Sequence, residues 1–216
     1  MTRTRIKFCG MTRAHDIDAA SRLGVDYIGL VFVAGSRRSL GLEQGRQLRA
    51  QVPAGIASVA LVMDATVDQV QAIVDQVRPD LLQFHGAEDD AFCAGFGLPF
   101  LKVTAMGGQP GDAARLAAAR FPSAMALVLD GHAPGSAGGS GQAFDWAGLP
   151  TAFDKSFLLA GGLCPDNVGL AIRAARPWGV DVSSGIEQAP GVKDGARMQA
   201  FVDEVRRAES AIADRN

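Results

Sequence analysis

Short apolar runs alternate with amphipathic stretches along the chain, and the alternation predicts eight strands with helices between them. The strand runs are Arg5–Gly10, Val25–Phe32, Ile56–Met63, Leu81–Gly86, Phe100–Thr104, Met125–Asp130, Phe157–Leu163 and Gly179–Gly185. Most are apolar throughout, as expected of parallel strands covered on both faces. The intervening stretches carry helical spacing and helix punctuation. Thr12 is placed to cap a helix running to Leu23, which Gly24 ends, and a second helix runs from about Leu42 to Gln51. Thr66 and Gln69 form a capping box ahead of a stripe of Val67, Val70, Ile73, Val74 and Val77. Helices follow at Asp89–Gly95 and Asp112–Arg120, with a short one starting at Phe144-Asp145-Trp146. Pro165 suits the first turn of the next helix, which ends near Ala175. Asp194 can cap the last, from about Gly195 to Ala208, where Met198, Phe201, Val202 and Val205 share a face.

Eight strand–helix units favour one parallel eight-stranded (β/α)8 TIM barrel over residues 1–216. The competing doubly wound open sheet would carry a G-x-G-x-x-G after its first strand, and the chain lacks it there. The longest irregular stretch, from Gly131 to Ala143 around Gly138-Gly139-Ser140-Gly141, reads as a functional or mobile loop.

Composition narrows the partners. A net charge of −2 with no basic stripe argues against nucleic acid. The 48% of hydrophobic residues supply a substantial core, yet no run of about 18 apolar residues suggests a membrane span. Three scattered cysteines, with no apolar export segment, point to a reducing compartment and a cytoplasmic protein. Neither the cysteines nor the three histidines make a metal-ligand spacing, so no metal is expected.

In a barrel of this kind the chemistry sits where strands end. That shortlists Cys9, Arg37 or Arg38, Gln83, His85, Asp130, Asp181, Ser183 and Ser184. Cys9 is either a base or nucleophile with a lowered pKa, or a small buried hydrophobe. Asp130 closes an apolar run, so its charge either works at a site or starts an Asx-turn. Asp181, inside the eighth strand, reads as a group that holds a neighbour in place. His85 is either a site residue or a histidine hydrogen-bonded in place. Arg37 and Arg38 either bind a carboxylate bidentately or are solvated loop charges. Gly161, Gly162 and Gly185, with Ser183 and Ser184, end the seventh and eighth strands, whose backbone N–H groups suit a phosphate; otherwise these glycines only permit tight turns.

Taken together, these positions resemble one family. The shared motifs are Lys7-Phe8-Cys9-Gly10-Met11-Thr12, Gly29-Leu30-Val31-Phe32 with Ser36-Arg37-Arg38, Gln83-Phe84-His85-Gly86, and Leu129-Asp130. They continue through Gly138-Gly139-Ser140-Gly141, Phe144-Asp145-Trp146, Ala160-Gly161-Gly162-Leu163 and Asn167-Val168. Val180 to Glu187, Pro190-Gly191 and Lys193-Asp194 complete the series. The order and spacing resemble phosphoribosylanthranilate isomerase, a tryptophan-pathway barrel enzyme. The resemblance implies an Amadori rearrangement of an aminoaldose phosphate without metal or cofactor. It implies Asp130 as general acid, Cys9 as general base and Arg38 on the anthranilate carboxylate, with Arg37 as its neighbour. Gly162, Ser183, Ser184 and Gly185 would hold the phosphate, His85 would contact the substrate, and the glycine loop would close over it. The expected partner is this small phosphosugar alone, bound to a monomer or homodimer. Two alternatives are another phosphosugar barrel enzyme, such as a pentose-phosphate epimerase, and a catalytically silent phosphate-binding barrel. The first would want histidine and carboxylate ligands at several strand ends, where only His85 qualifies, and the joint presence of Cys9 and Asp130 argues against the second.

Overall fold

The computed structural model describes residues 3–106, 110–131, 146–149 and 155–213. Eight parallel strands close into a barrel in chain order: β1 (Arg5–Cys9), β2 (Tyr27–Val31), β3 (Ala57–Val62), β4 (Leu81–Phe84), β5 (Phe100–Ala105), β6 (Ala126–Asp130), β7 (Phe157–Ala160) and β8 (Gly179–Val182). β8 pairs with β1 to complete the ring. Every predicted run is present as a strand, most of them trimmed by one to three residues at the ends, whereas β5 runs one residue further, to Ala105.

Strand alternation sorts the side chains into two cores. One set points outward against the helices: Ile6 and Phe8, Ile28 and Leu30, Leu82 and Phe84, Leu127 and Leu129 all pack there. The other fills the barrel, with Val59, Leu81, Leu101, Ala126 and Leu158 among its members. A third, small cluster of Cys9, Val31 and Leu61 lies on that inner face one layer nearer the strand ends. Filled layers of this kind make the interior a packed core rather than a pore. The polar members of the inner set are Lys7, Cys9, Gln83, Asp130 and Asp181, all buried.

The helices are α1 (Ala14–Arg22), α2 (Leu42–Arg49), α3 (Val67–Val77), α4 (Asp90–Ala94), α5 (Pro110–Arg120), α6 (Val168–Ala175) and α7 (Gly195–Ala213). Between β6 and β7 the described residues hold only a 3-10 turn, Trp146–Gly148, so the expected set of eight helices is seven α-helices and that turn. The Thr66–Gln69 capping box forms as predicted. Asp194 caps α7 through the backbone N–H of Arg197, and α7 runs beyond Ala208.

Three details differ. Thr12 is not a cap: α1 opens after Arg13, and the Thr12 hydroxyl donates instead to the Gly191 carbonyl across the fold. Pro165 lies in a turn before α6 rather than in its first turn, and Asn167 stands at the helix start. Val67 opens α3 on the exposed side, leaving Val70, Ile73 and Val77 as its buried stripe. No helix among the described residues is long and apolar enough to cross a membrane.

Candidate active site

A cavity of about 460 Å³ opens at the ends of the strands. Of the expected site residues, Cys9, Arg38, His85, Asp130, Gly162, Ser183 and Ser184 all line it, and so do Arg37, Gln83 and Asp181. Gly185 does not. It sits behind Ser184 in a 3-10 turn (Ser184–Ile186), packed so closely on the loop after β7 that a Cβ would lie 1.9 Å from the Leu163 carbonyl oxygen. The glycine loop after Asp130, with His132 and Phe144-Asp145, lies outside the described residues.

Cys9 and Asp130 each owe their place to a neighbouring glycine. On β2 a Cβ at Gly29 would come 2.8 Å from the Cys9 sulfur and 3.1 Å from its Cα. Alanine there must push the thiol aside. We expect Gly29→Ala to lower kcat about 10-fold or more while costing about 1–3 kcal/mol of stability. Paired kinetics and thermal denaturation check this; an unchanged kcat would mean the sulfur's position is not critical. At Gly161 (φ +84°) a Cβ would lie 2.3 Å from the Gly131 nitrogen and 2.9 Å from Asp130 Oδ1. The β7 turn therefore packs against the Asp130 side chain and the Gly131 backbone at contact distance.

Charges beneath and beside the cavity are tied in two groups. The β1–β8 register places Lys7 opposite Asp181, and their side chains form a buried ion pair of 2.8 Å. Burial opposes the Lys7 ammonium, but Asp181 and Cys9 together hold its pKa above the ordinary lysine value. Asp181 is itself pushed up, first by burial and also by Asp130, although Lys7 opposes this. Its Oδ1 is buried with no hydrogen-bond partner, as is Oε1 of Gln83. The Cys9 thiol is also pushed up by burial, with Lys7 and Lys193 pulling the other way and Asp181 adding to the rise. The lowered thiol pKa that base chemistry would favour is therefore not present, because desolvation outweighs the two cations.

The second group was not anticipated. Glu187–Ala189 (β9) and Val192–Lys193 (β10) form an antiparallel hairpin after β8. Pro190-Gly191, a turn signal, marks its tip. Lys193 is buried, and its ammonium donates to the Cys9 carbonyl (2.6 Å), the Ser183 carbonyl (3.0 Å) and Glu187 (2.8 Å). The Ser183 hydroxyl donates to the same Cys9 carbonyl. Glu187 in turn takes a bidentate fork from Nε and Nη2 of Arg38, at 2.7 and 2.6 Å. Burial would push the Glu187 carboxyl up, yet Arg38 and Lys193 hold it below the usual carboxylate range. Arg38 is thus fixed on one edge of its guanidinium, and its Nη1 makes no hydrogen bond among the described residues. At the loops after β7 and β8, the backbone N–H groups of Gly162 and Ser184 donate to no other group among the described residues. The Gly162 carbonyl is held by Asn167. No three His, Cys, Asp or Glu side chains among the described residues are grouped to hold a metal ion.

Residues 6–204 match the family profile described as N-(5'phosphoribosyl)anthranilate (PRA) isomerase. The chain belongs to this family. It is 50% identical over 210 residues to the N-(5'-phosphoribosyl)anthranilate isomerase of Stenotrophomonas maltophilia (strain K279a), covering 97% of this chain and 96% of that one. Among solved structures, the phosphoribosyl anthranilate isomerase of Thermus thermophilus superposes with a TM-score of 0.83 at 32% identity, covering 94% of this chain and 99% of that one. Another phosphoribosyl anthranilate isomerase, solved with reduced 1-(o-carboxyphenylamino)-1-deoxyribulose 5-phosphate, has a TM-score of 0.79 at 25% identity. It covers 94% of this chain and 99% of that one. Membership in the PRA isomerase family makes the chain an isomerase.

Proposed function

We propose that this isomerase converts N-(5-phosphoribosyl)anthranilate into 1-(2-carboxyphenylamino)-1-deoxyribulose 5-phosphate, with Asp130 as general acid and Cys9 as general base. The observation that carries the reading is that Cys9 at the end of β1 and Asp130 at the end of β6 face one cavity. Asp130 gives its proton to the ribose ring oxygen as the C1–O bond breaks, and the nitrogen lone pair closes a protonated Schiff base at C1. Cys9, as thiolate, then takes the C2 proton. The C2–H electrons form a C1–C2 double bond, and the C1–N π pair returns to nitrogen, giving the enolamine. That enolamine gains a proton at C1 and loses one from its C2 hydroxyl to become the ketone. Atoms and electrons balance within the substrate, so no oxidant, metal or cofactor is assigned a step.

The same reading places the phosphate at the N–H groups of Gly162 and Ser184, with Ser183 and Gly185 shaping that wall. It places the anthranilate carboxylate at the Nη1 side of Arg38, and His85 beside the substrate. The ligand in the solved relative carries both anions, which supports this division of labour. If Arg38 holds the carboxylate, Arg38→Ala raises KM about 10- to 100-fold, the worth of a charge-assisted hydrogen bond or two, with a smaller change in kcat. An unchanged KM would put the carboxylate elsewhere. The chain is assigned to tryptophan biosynthesis, as one barrel domain acting as a cytoplasmic monomer or homodimer.

The direct test is consumption of phosphoribosylanthranilate by chelator-treated protein, followed by its anthranilate fluorescence. Sustained turnover is expected. Fluorescence that stays constant would overturn the assignment.

A further inference from the structure

The mechanism asks Cys9 to carry a negative charge in a place where burial opposes it, so something must hold that charge. Cys9 is buried, with 7% of the residue exposed. On the same strand, two residues back and on the same inner face, stands Lys7, with no exposed surface at all. Its ammonium is anchored at 2.8 Å on Asp181 Oδ2, and its charge favours the ionised form of the Cys9 thiol. A lysine paired with a carboxylate directly beneath a thiol inside a barrel is costly to bury, and apolar residues fill the barrel elsewhere.

We propose that Lys7 is a positioning residue for the base: its buried ammonium, fixed by Asp181, holds the ionised sulfur of Cys9 at the floor of the cavity. The proposal rests on the reading of Cys9 as the base, and gives Asp181 the task of fixing Lys7. The other charged groups around the sulfur are arranged differently. Lys193 reaches in from β10 but spends its hydrogen bonds on the Cys9 and Ser183 carbonyls and Glu187. Arg38, from the loop after β2, is forked onto Glu187 of β9. Asp130 of β6 raises the Asp181 carboxyl. β2 presents Gly29 and Val31, neither of them charged. Lys7 is the cation whose effect on the thiol is greatest.

The test titrates the thiol without substrate. The rate of iodoacetamide alkylation at Cys9 is read by peptide mass spectrometry across pH, with Cys93 and Cys164 as internal controls. Burial pushes Cys93 up to about 12, so it marks a thiol with no site role. Removing a cation from beside a thiolate disfavours the charged form, so in Lys7→Met the Cys9 midpoint should move upward by about one pH unit or more. Lys7→Met/Asp181→Leu leaves no unpaired buried carboxylate and guards against misfolding of the single variant. Its midpoint should also move upward, because Lys7 outweighs Asp181 at the sulfur. A folded variant of either kind with the wild-type Cys9 midpoint overturns the proposal. Failure of the base reading is distinct: it would appear as full turnover in Cys9→Ser, whatever the midpoints do.

Discussion

Cys9→Ser should bind substrate nearly as well as wild type and turn it over about 100- to 10,000-fold more slowly, the usual contribution of a positioned general base. A serine hydroxyl is a far weaker acid than a thiol, so the Lys7 and Lys193 cations that act on the thiol cannot ionise it. The contacts proposed for affinity lie elsewhere, at Arg38 and at the loops after β7 and β8, and the substitution touches none of them. Steady-state kcat and the affinity for a reduced product analogue separate the two effects. A kcat near wild type would remove Cys9 from the reaction.

Asp130→Asn should produce a loss of similar size for the opposite reason. The amide matches the carboxyl in size, so the tight contact with the Gly161 turn is kept, but it has no proton to give. The ribose ring then stays closed and the C2 proton never becomes acidic. The expected kcat falls about 100- to 10,000-fold with KM little changed. Surviving activity would require another acid to open the ring. Supplying a ring-opened Schiff-base mimic should not rescue Cys9→Ser, whereas it bypasses the step blocked in Asp130→Asn.

Strand periodicity carried most of the architecture. Each apolar run maps to a barrel strand, and the inward parity of Cys9, Gln83, Asp130 and Asp181 follows from alternation once the strands are placed. Local punctuation was mixed in value. The Thr66 box and the Asp194 cap depend only on residues three apart and were legible. Thr12 was misread because its hydroxyl is claimed by Gly191, 179 residues away, a partner that no local pattern reveals. The Lys193–Glu187–Arg38 group was hidden for the same reason, since it joins the end of β8 to the loop after β2. Its hairpin did leave a sign in Pro190-Gly191 between two short extended pieces. Lys7 was visible as part of a motif, but its role depends on the β1–β8 closure that sets it opposite Asp181. The direction of the Cys9 shift was out of reach, because it balances burial against two cations that arrive from separate elements.

The central claim is that Cys9 and Asp130 act as base and acid on one substrate bound in one cavity. Single-turnover consumption of phosphoribosylanthranilate, with chelator-treated protein in excess over substrate, tests it most directly, because product release no longer limits the rate. Wild type should clear the fluorescence in one phase, while Cys9→Ser and Asp130→Asn each bind the substrate and leave it unconverted on that timescale. Conversion by either variant at the wild-type rate would contradict the account.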